Sequence, residues 1–119
     1  MDWKFTSDRP VYQQIMDTLR GAIVTGQLQP DQWIPSTRDL AAQAKVNPNT
    51  MQRALTELER EGLLIGCGTS GRKVTTEDAI LSSMKEQMVH SLVQECALKF
   101  QILGVTPAEA AELLRRLEL

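Results

Sequence analysis

Val46-Asn47-Pro48-Asn49-Thr50-Met51-Gln52-Arg53-Ala54-Leu55-Thr56-Glu57-Leu58-Glu59-Arg60-Glu61-Gly62 decides the fold. Asn47 suits an N-cap, because its side-chain oxygen can accept a hydrogen bond from an orphan backbone N–H of the first turn. Pro48 then falls at the first helical position, where a missing N–H costs nothing. Gly62 supplies the stop, since it enters the left-handed region without a Cβ clash. Between these signals Met51, Ala54, Leu55 and Leu58 recur at helical spacing and form one apolar stripe. The opposite face starts with Asn49, Thr50, Gln52 and Arg53, all able to hydrogen-bond a base edge or a phosphate. A helix buried on one side and polar at the start of the other reads as the recognition helix of a winged helix-turn-helix.

The flanking sequence supports that reading. Ser36-Thr37-Arg38-Asp39 has a serine N-cap with an acid three residues on, and it opens a short helix over 37–44 that turns Leu40 and Ala41 inward. Lys45-Val46 links it to the recognition helix, a spacing that fits a helix-turn-helix. Upstream, Val11, Tyr12, Ile15, Met16, Leu19, Ala22 and Ile23 make a broad stripe on a helix over 11–25, which Gly26 ends. Trp3-Lys4-Phe5 alternates, as a short strand or tethering arm would, and Trp33-Ile34 runs extended towards Pro35. Downstream, Leu63-Leu64-Ile65 and Lys73-Val74-Thr75 are short strands around a tip rich in turn formers, 66–72, which makes a β-hairpin wing.

Residues 76–119 have a different character. Thr76-Glu77-Asp78 opens a long helix with acids in its first turn. Ile80, Leu81, Met84, Met88, Leu92, Val93, Cys96, Ala97, Phe100 and Leu103 follow every three or four residues, over a length on the order of 40 Å. Gly104 ends it, and Thr106-Pro107-Ala108-Glu109 is a capping box opening a last helix with Ala110, Leu113, Leu114 and Leu117. Either the first domain covers these stripes or a second copy of the chain does. Two long apolar stripes favour the second copy, with Leu81, Met84, Met88, Leu92, Cys96, Phe100, Leu113, Leu114 and Leu117 in a two-fold interface. The expected fold is mainly α with a small β-hairpin: a winged helix-turn-helix over 1–75, then a two-helix dimerisation tail over 76–119.

Composition narrows the function. Net charge is −2, but residues 1–75 carry nine Lys or Arg against eight Asp or Glu, whereas residues 76–119 carry four against seven. The acidity therefore lies mostly in the tail, away from the expected reader, and charge permits DNA binding without demanding it. Cys67 and Cys96 form no CxxC, and His90 is the one histidine, so neither a disulfide framework nor a metal site is expected. No cofactor loop or catalytic constellation stands out, so an enzyme is not expected. No signal segment or membrane-length apolar run appears, which points to the cytoplasm. Met84, Met88, His90, Cys96 and Phe100 could line an effector pocket at the interface, but residues of these types at helical spacing more often make core.

The motifs resemble those of the GntR family of bacterial transcription regulators. The residues that carry the match are Pro10-Val11-Tyr12-x-Gln14-Ile15, Gly26-x-Leu28-x-Pro30, Ile34-Pro35-Ser36-x-Arg38-x-Leu40-Ala41, Val46-Asn47-Pro48-Asn49-Thr50-x-x-Arg53-Ala54 and Leu58-Glu59-Arg60-Glu61-Gly62. They span residues 10–75, and the start together with the short tail looks like the YtrA subfamily. The resemblance implies a homodimeric repressor of an operon such as one encoding an ABC-type transporter. It also implies a DNA contact at Arg38. Asn49, Thr50 and Gln52 are candidates for the major groove. Arg53 could reach phosphate or guanine, or pair with Glu57 one turn on. Gly68, Thr69, Arg72 and Lys73 are wing candidates for phosphate or the minor groove, and Lys45 is a further phosphate candidate. The chain departs from the family pattern at Asp31, where glycine is usual. It departs again at the wing, where Gly71-Arg72-Lys73-Val74 stands for a segment ending Gly-Thr-Phe-Val. The alternative from another class is a winged helix that docks on a partner protein instead of reading palindromic double-stranded DNA.

Overall fold

Backbone geometry in the computed structural model, which describes residues 1–119, follows the side-chain signals closely. Asn47 Oδ1 accepts from the Asn49 N–H at 2.8 Å, and Ser36 Oγ accepts from the Asp39 N–H at 3.1 Å. These caps start α3 (Pro48–Arg60) and α2 (Thr37–Ala44) at the residues the sequence indicates. Helix α1 covers Val11–Val24. Asp31 and Lys45 are the two non-glycine residues in the left-handed region, with φ of 68° and 58°. Asp31 thus takes the conformation for which the family pattern uses glycine, and Lys45 forms the turn between α2 and α3.

Strands β1 (Leu64–Gly66) and β2 (Arg72–Val74) pair antiparallel, Leu64 opposite Val74 and Gly66 opposite Arg72. Both are shifted by one residue from the sequence expectation. Leu63 is used in the helix stop instead: its N–H bonds the Leu58 carbonyl at 3.1 Å and its side chain is fully buried. On the other edge of β2, Trp33 bridges to Lys73, and the Ile34 N–H reaches the Arg72 carbonyl at 3.0 Å. The extended segment foreseen around Trp33-Ile34 is therefore the wing's third edge.

Trp3 and Phe5 form no strand. They pack against the core as an arm, held by Gln14. The Gln14 side chain is buried, and such an amide is stable only when its polar atoms are paired. Its Oε1 accepts from the Thr6 N–H, and its Nε2 donates to the carbonyls of Thr6 and Arg9, each at 2.8 Å. The Tyr12-x-Gln14-Ile15 start thus has a mechanical reason in this chain.

The core lies between α1, α2, α3 and the wing. Ile15 and Leu19, Leu40, and the entire α3 stripe of Met51, Ala54, Leu55 and Leu58 are at most 1% exposed. Each large side chain among them contributes about 1.5–3 kcal/mol by leaving water. Arg20 on α1 clamps the end of α3, its Nε at 2.8 Å and Nη2 at 2.6 Å from the two Glu61 carboxylate oxygens. The Glu61 hydrogen bonds are the main cause of a raised arginine pKa.

The chain divides into two compact units, Met1–Met84 and Lys85–Leu119. Helix α4 (Asp78–Ile102) begins in the first, where Ile80, Leu81 and Met84 pack against the core. In the second unit α4 ends at Gly104, φ 74°, and α5 (Pro107–Arg115) begins under a Thr106 cap that accepts from the Glu109 N–H at 3.2 Å. No helix is long and apolar enough to cross a membrane.

Candidate nucleic-acid interface

The amphipathic split of α3 places the candidate readers. Asn49, Gln52 and Arg53 are exposed and Thr50 is half-buried, on a helix whose other side is sealed in the core. The Thr37 hydroxyl donates to Gln52 Oε1 at 3.0 Å, which draws the start of α2 against the start of α3. Arg38 follows Thr37 and is exposed. It pairs with neither Asp39 nor Asp31; Asp31 is held by Lys73 at 3.0 Å. Lys45, in the turn, is exposed as well.

Arg53 does not pair with Glu57. Its guanidinium lies 3.7 Å from the centre of the Tyr12 ring, a cation–π stack that presents it at the surface with its charge uncancelled. Glu57 is occupied by Arg60 at 2.5 Å. At the wing, Gly68 and Thr69 form an exposed single turn at the tip, Gly68–Ser70. The two basic wing residues are both engaged within the chain. Arg72 pairs with Glu59 and donates to Thr37 Oγ1 at 3.0 Å, and its side chain is 17% exposed. Lys73 lies 5.7 Å from the Trp33 ring, and its hydrogen bond to Asp31 raises its pKa.

Sequence reasoning missed three participants: Tyr12 beneath Arg53, Thr37 beneath Gln52, and Glu59 beside Arg72. Each partner is distant in sequence and at ordinary surface spacing, so no local pattern announces the contact.

In the tail, Met88, Cys96 and Phe100 are half-buried, while Leu92, Leu113, Leu114 and Leu117 are from 49% to 65% exposed. Leu81 and Met84, expected at an interface, pack in the first unit. His90 lies on an exposed patch with Val89 and Val93, and a larger open hollow of about 800 Å³ lies among Leu98, Gly104, Val105 and Pro107. No group of His, Cys, Asp and Glu could hold a metal ion.

Comparison with known proteins gives this geometry a family. Residues 11–74 match the profile of bacterial regulatory proteins of the gntR family. The chain is 33% identical over 112 residues to the uncharacterized HTH-type transcriptional regulator YhcF of Bacillus subtilis, covering 94% of this chain and 93% of that protein. It is 34% identical over 93 residues to the HTH-type transcriptional repressor YtrA of the same organism, covering 73% and 72%. Among solved structures, a GntR family transcriptional regulator from Listeria monocytogenes superposes with a TM-score of 0.88 at 25% identity, over 96% of this chain and 100% of that one. The AraR DNA-binding domain solved in complex with operator ORX1 matches 63% of this chain and 96% of its own, at 28% identity and a TM-score of 0.59. These relatives are regulators and not enzymes. The chain belongs to the gntR family of bacterial regulatory proteins, as a DNA-binding transcriptional regulator of the YtrA type.

Proposed function

We propose that the chain is a sequence-specific repressor that acts as a homodimer on a palindromic operator in the cytoplasm. The observation that carries this reading is the paired start of α2 and α3. The Thr37–Gln52 bond joins the two helix starts, which expose Arg38, next to Thr37 in sequence, and the row of Asn49, Gln52 and Arg53. That set combines groups suited to base edges with cations suited to phosphate. Two such helices, one per subunit, would enter successive major grooves with half-sites about one helical turn apart or a multiple of it. The exposed leucines of the tail are the surface on which the second copy would pair. The regulated genes are those of an operon shared with a membrane transporter, as the YtrA resemblance suggests.

The test is fluorescence anisotropy of the full chain on duplexes tiling the DNA upstream of its own gene, at two salt concentrations, with mass measured by light scattering. Tight binding to one palindromic tile, weakening steeply with salt through counterion release, is expected. Equal weak binding to every tile would defeat sequence-specific autoregulation. No binding at low salt would transfer the face to a protein partner.

A further inference from the structure

Four side chains on three elements form one path that ends at a candidate base-reading residue. At the last turn of α3, the Glu59 carboxylate accepts from Arg72 Nε on β2. Arg72 Nη1 donates to Thr37 Oγ1 at the start of α2, at 3.0 Å, and Thr37 Oγ1 donates to Gln52 Oε1 at the start of α3, also at 3.0 Å. Gly66 stands opposite Arg72 across the hairpin and makes room for the pair. A Cβ there would sit 3.2 Å from Glu59 Oε2.

The direction of these bonds follows from the groups. A guanidinium has donors only, so a hydroxyl oxygen that accepts from it keeps its own proton to give. The glutamine carbonyl takes that proton, and successive bonds polarise one another. The Gln52 amide is thereby oriented, with one Oε1 lone pair engaged and both Nε2 protons left for an outside acceptor. In the major groove guanine presents two adjacent acceptors, N7 and O6, whereas an A·T pair presents adenine N7 and thymine O4 on either side of the N6 donor. The two-bond pairing with adenine needs Oε1 to accept a second bond, from N6, beside the one it already takes from Thr37, whereas guanine asks only for the free Nε2 protons.

We propose that Arg72 is a positioning residue which, through Thr37, fixes the Gln52 amide so that it selects the two acceptors of guanine over adenine. This rests on the reading that the face binds DNA. It gives Arg72 a role distinct from a phosphate anchor. The side chain is 17% exposed and its charge is matched by Glu59, so little of it remains for phosphate. Arginine at this place is a departure of this chain from the family wing, which makes the preference a property of this chain.

The test selects duplexes from a pool with a randomised centre, using the full chain and its variants. The base pair whose preference disappears in Gln52→Ala marks the one that side chain reads. A G·C pair is expected there, and Thr37→Val and Arg72→Met should each relax that preference alone by roughly fivefold or more. The salt dependence should stay as in the parent. Arg72→Met weakening every duplex alike, with a loss of about 0.9 from the salt slope per subunit bound, would make it a phosphate contact and overturn the proposal. An A·T pair at that position would overturn it too. Thr37→Val keeps the side-chain shape, so it carries the test if Arg72→Met fails to fold. A second readout needs no DNA: the Gln52 side-chain amide resonance should move in Thr37→Val, and an unmoved resonance refutes the path. If the amide moves but the parent enriches no sequence, DNA reading fails, and the positioning role in it falls as well.

Discussion

The two compact units are built from helices of similar apolar content, yet they use it in opposite ways. In the first, the apolar stripes of α1, α2 and α3 face one another, and Ile15, Leu40, Met51, Leu55 and Leu58 are fully sealed. In the second, Ala110 is the one buried hydrophobic residue, while Leu92, Val93, Leu98, Ile102 and Leu103 are each at least 60% exposed. The difference is one of pattern. A single stripe can be covered by one neighbour, whereas the apolar residues of α4 continue around the helix and α5 alone is too short to cover them. The first unit satisfies its own hydrophobic demand. The second leaves an apolar surface open, which is the physical support for the proposed dimer.

This contrast sets the sizes of mutational effects. Leu58→Ala empties a sealed site, and a loss of about 2–5 kcal/mol is expected in denaturant unfolding. A loss under about 1 kcal/mol would mean that the core collapses around the gap, which dense packing argues against. In the tail, Leu92→Glu with Leu114→Glu should leave the first unit folded but yield monomers by sedimentation. Binding to a palindromic duplex should then fall about a hundredfold, because the second half-site is no longer held nearby. An unchanged dimer would show that other residues form the interface.

The ion pair that closes the first unit should have a smaller effect. Arg20 and Glu61 join α1 to the end of α3 by two charge-assisted bonds, and both side chains are about one-quarter exposed. A double-mutant cycle of Arg20→Met and Glu61→Gln should return a coupling of about 1 kcal/mol after solvent screening. A coupling near zero would assign the joint to apolar packing alone.

What was legible in the sequence was whatever is decided locally. Asn47-Pro48 and Ser36 fixed the starts of α3 and α2, Gly62 the stop, and the four-residue stripe the buried face. The wing was legible as a hairpin but shifted by one residue, because Leu63 completes the helix stop, a choice its apolar character does not reveal. In the candidate interface the exposure of Arg38, Asn49, Gln52 and Arg53 was legible, and the side-chain partners were not. Arg72 reads as a free cation, yet its fate depends on Glu59 and Thr37, separated from it by 13 and 35 residues. Arg53 likewise has an obvious neighbour in Glu57 and stacks on Tyr12 instead. Side chains at comparable surface spacing compete for partners in three dimensions, and that competition leaves no periodic trace.

The same capping chemistry occurs once in each unit and offers the finest test of the contrast. Asn47 and Thr106 both cap a helix with proline at its first position, and both side chains accept a backbone N–H from within the first turn. Alanine at either site should remove about 1 kcal/mol of helix-start stability. In the first unit α3 is sealed into the core and cannot unfold alone, so Asn47→Ala should lower the global unfolding free energy by that full amount. In the second unit α5 is anchored by little more than Ala110. Thr106→Ala should therefore speed amide exchange through α5 while leaving the melting of the first unit unchanged. If it lowered both together, α5 would belong to the cooperative core, and its exposed leucines would lose their standing as a surface awaiting a second copy.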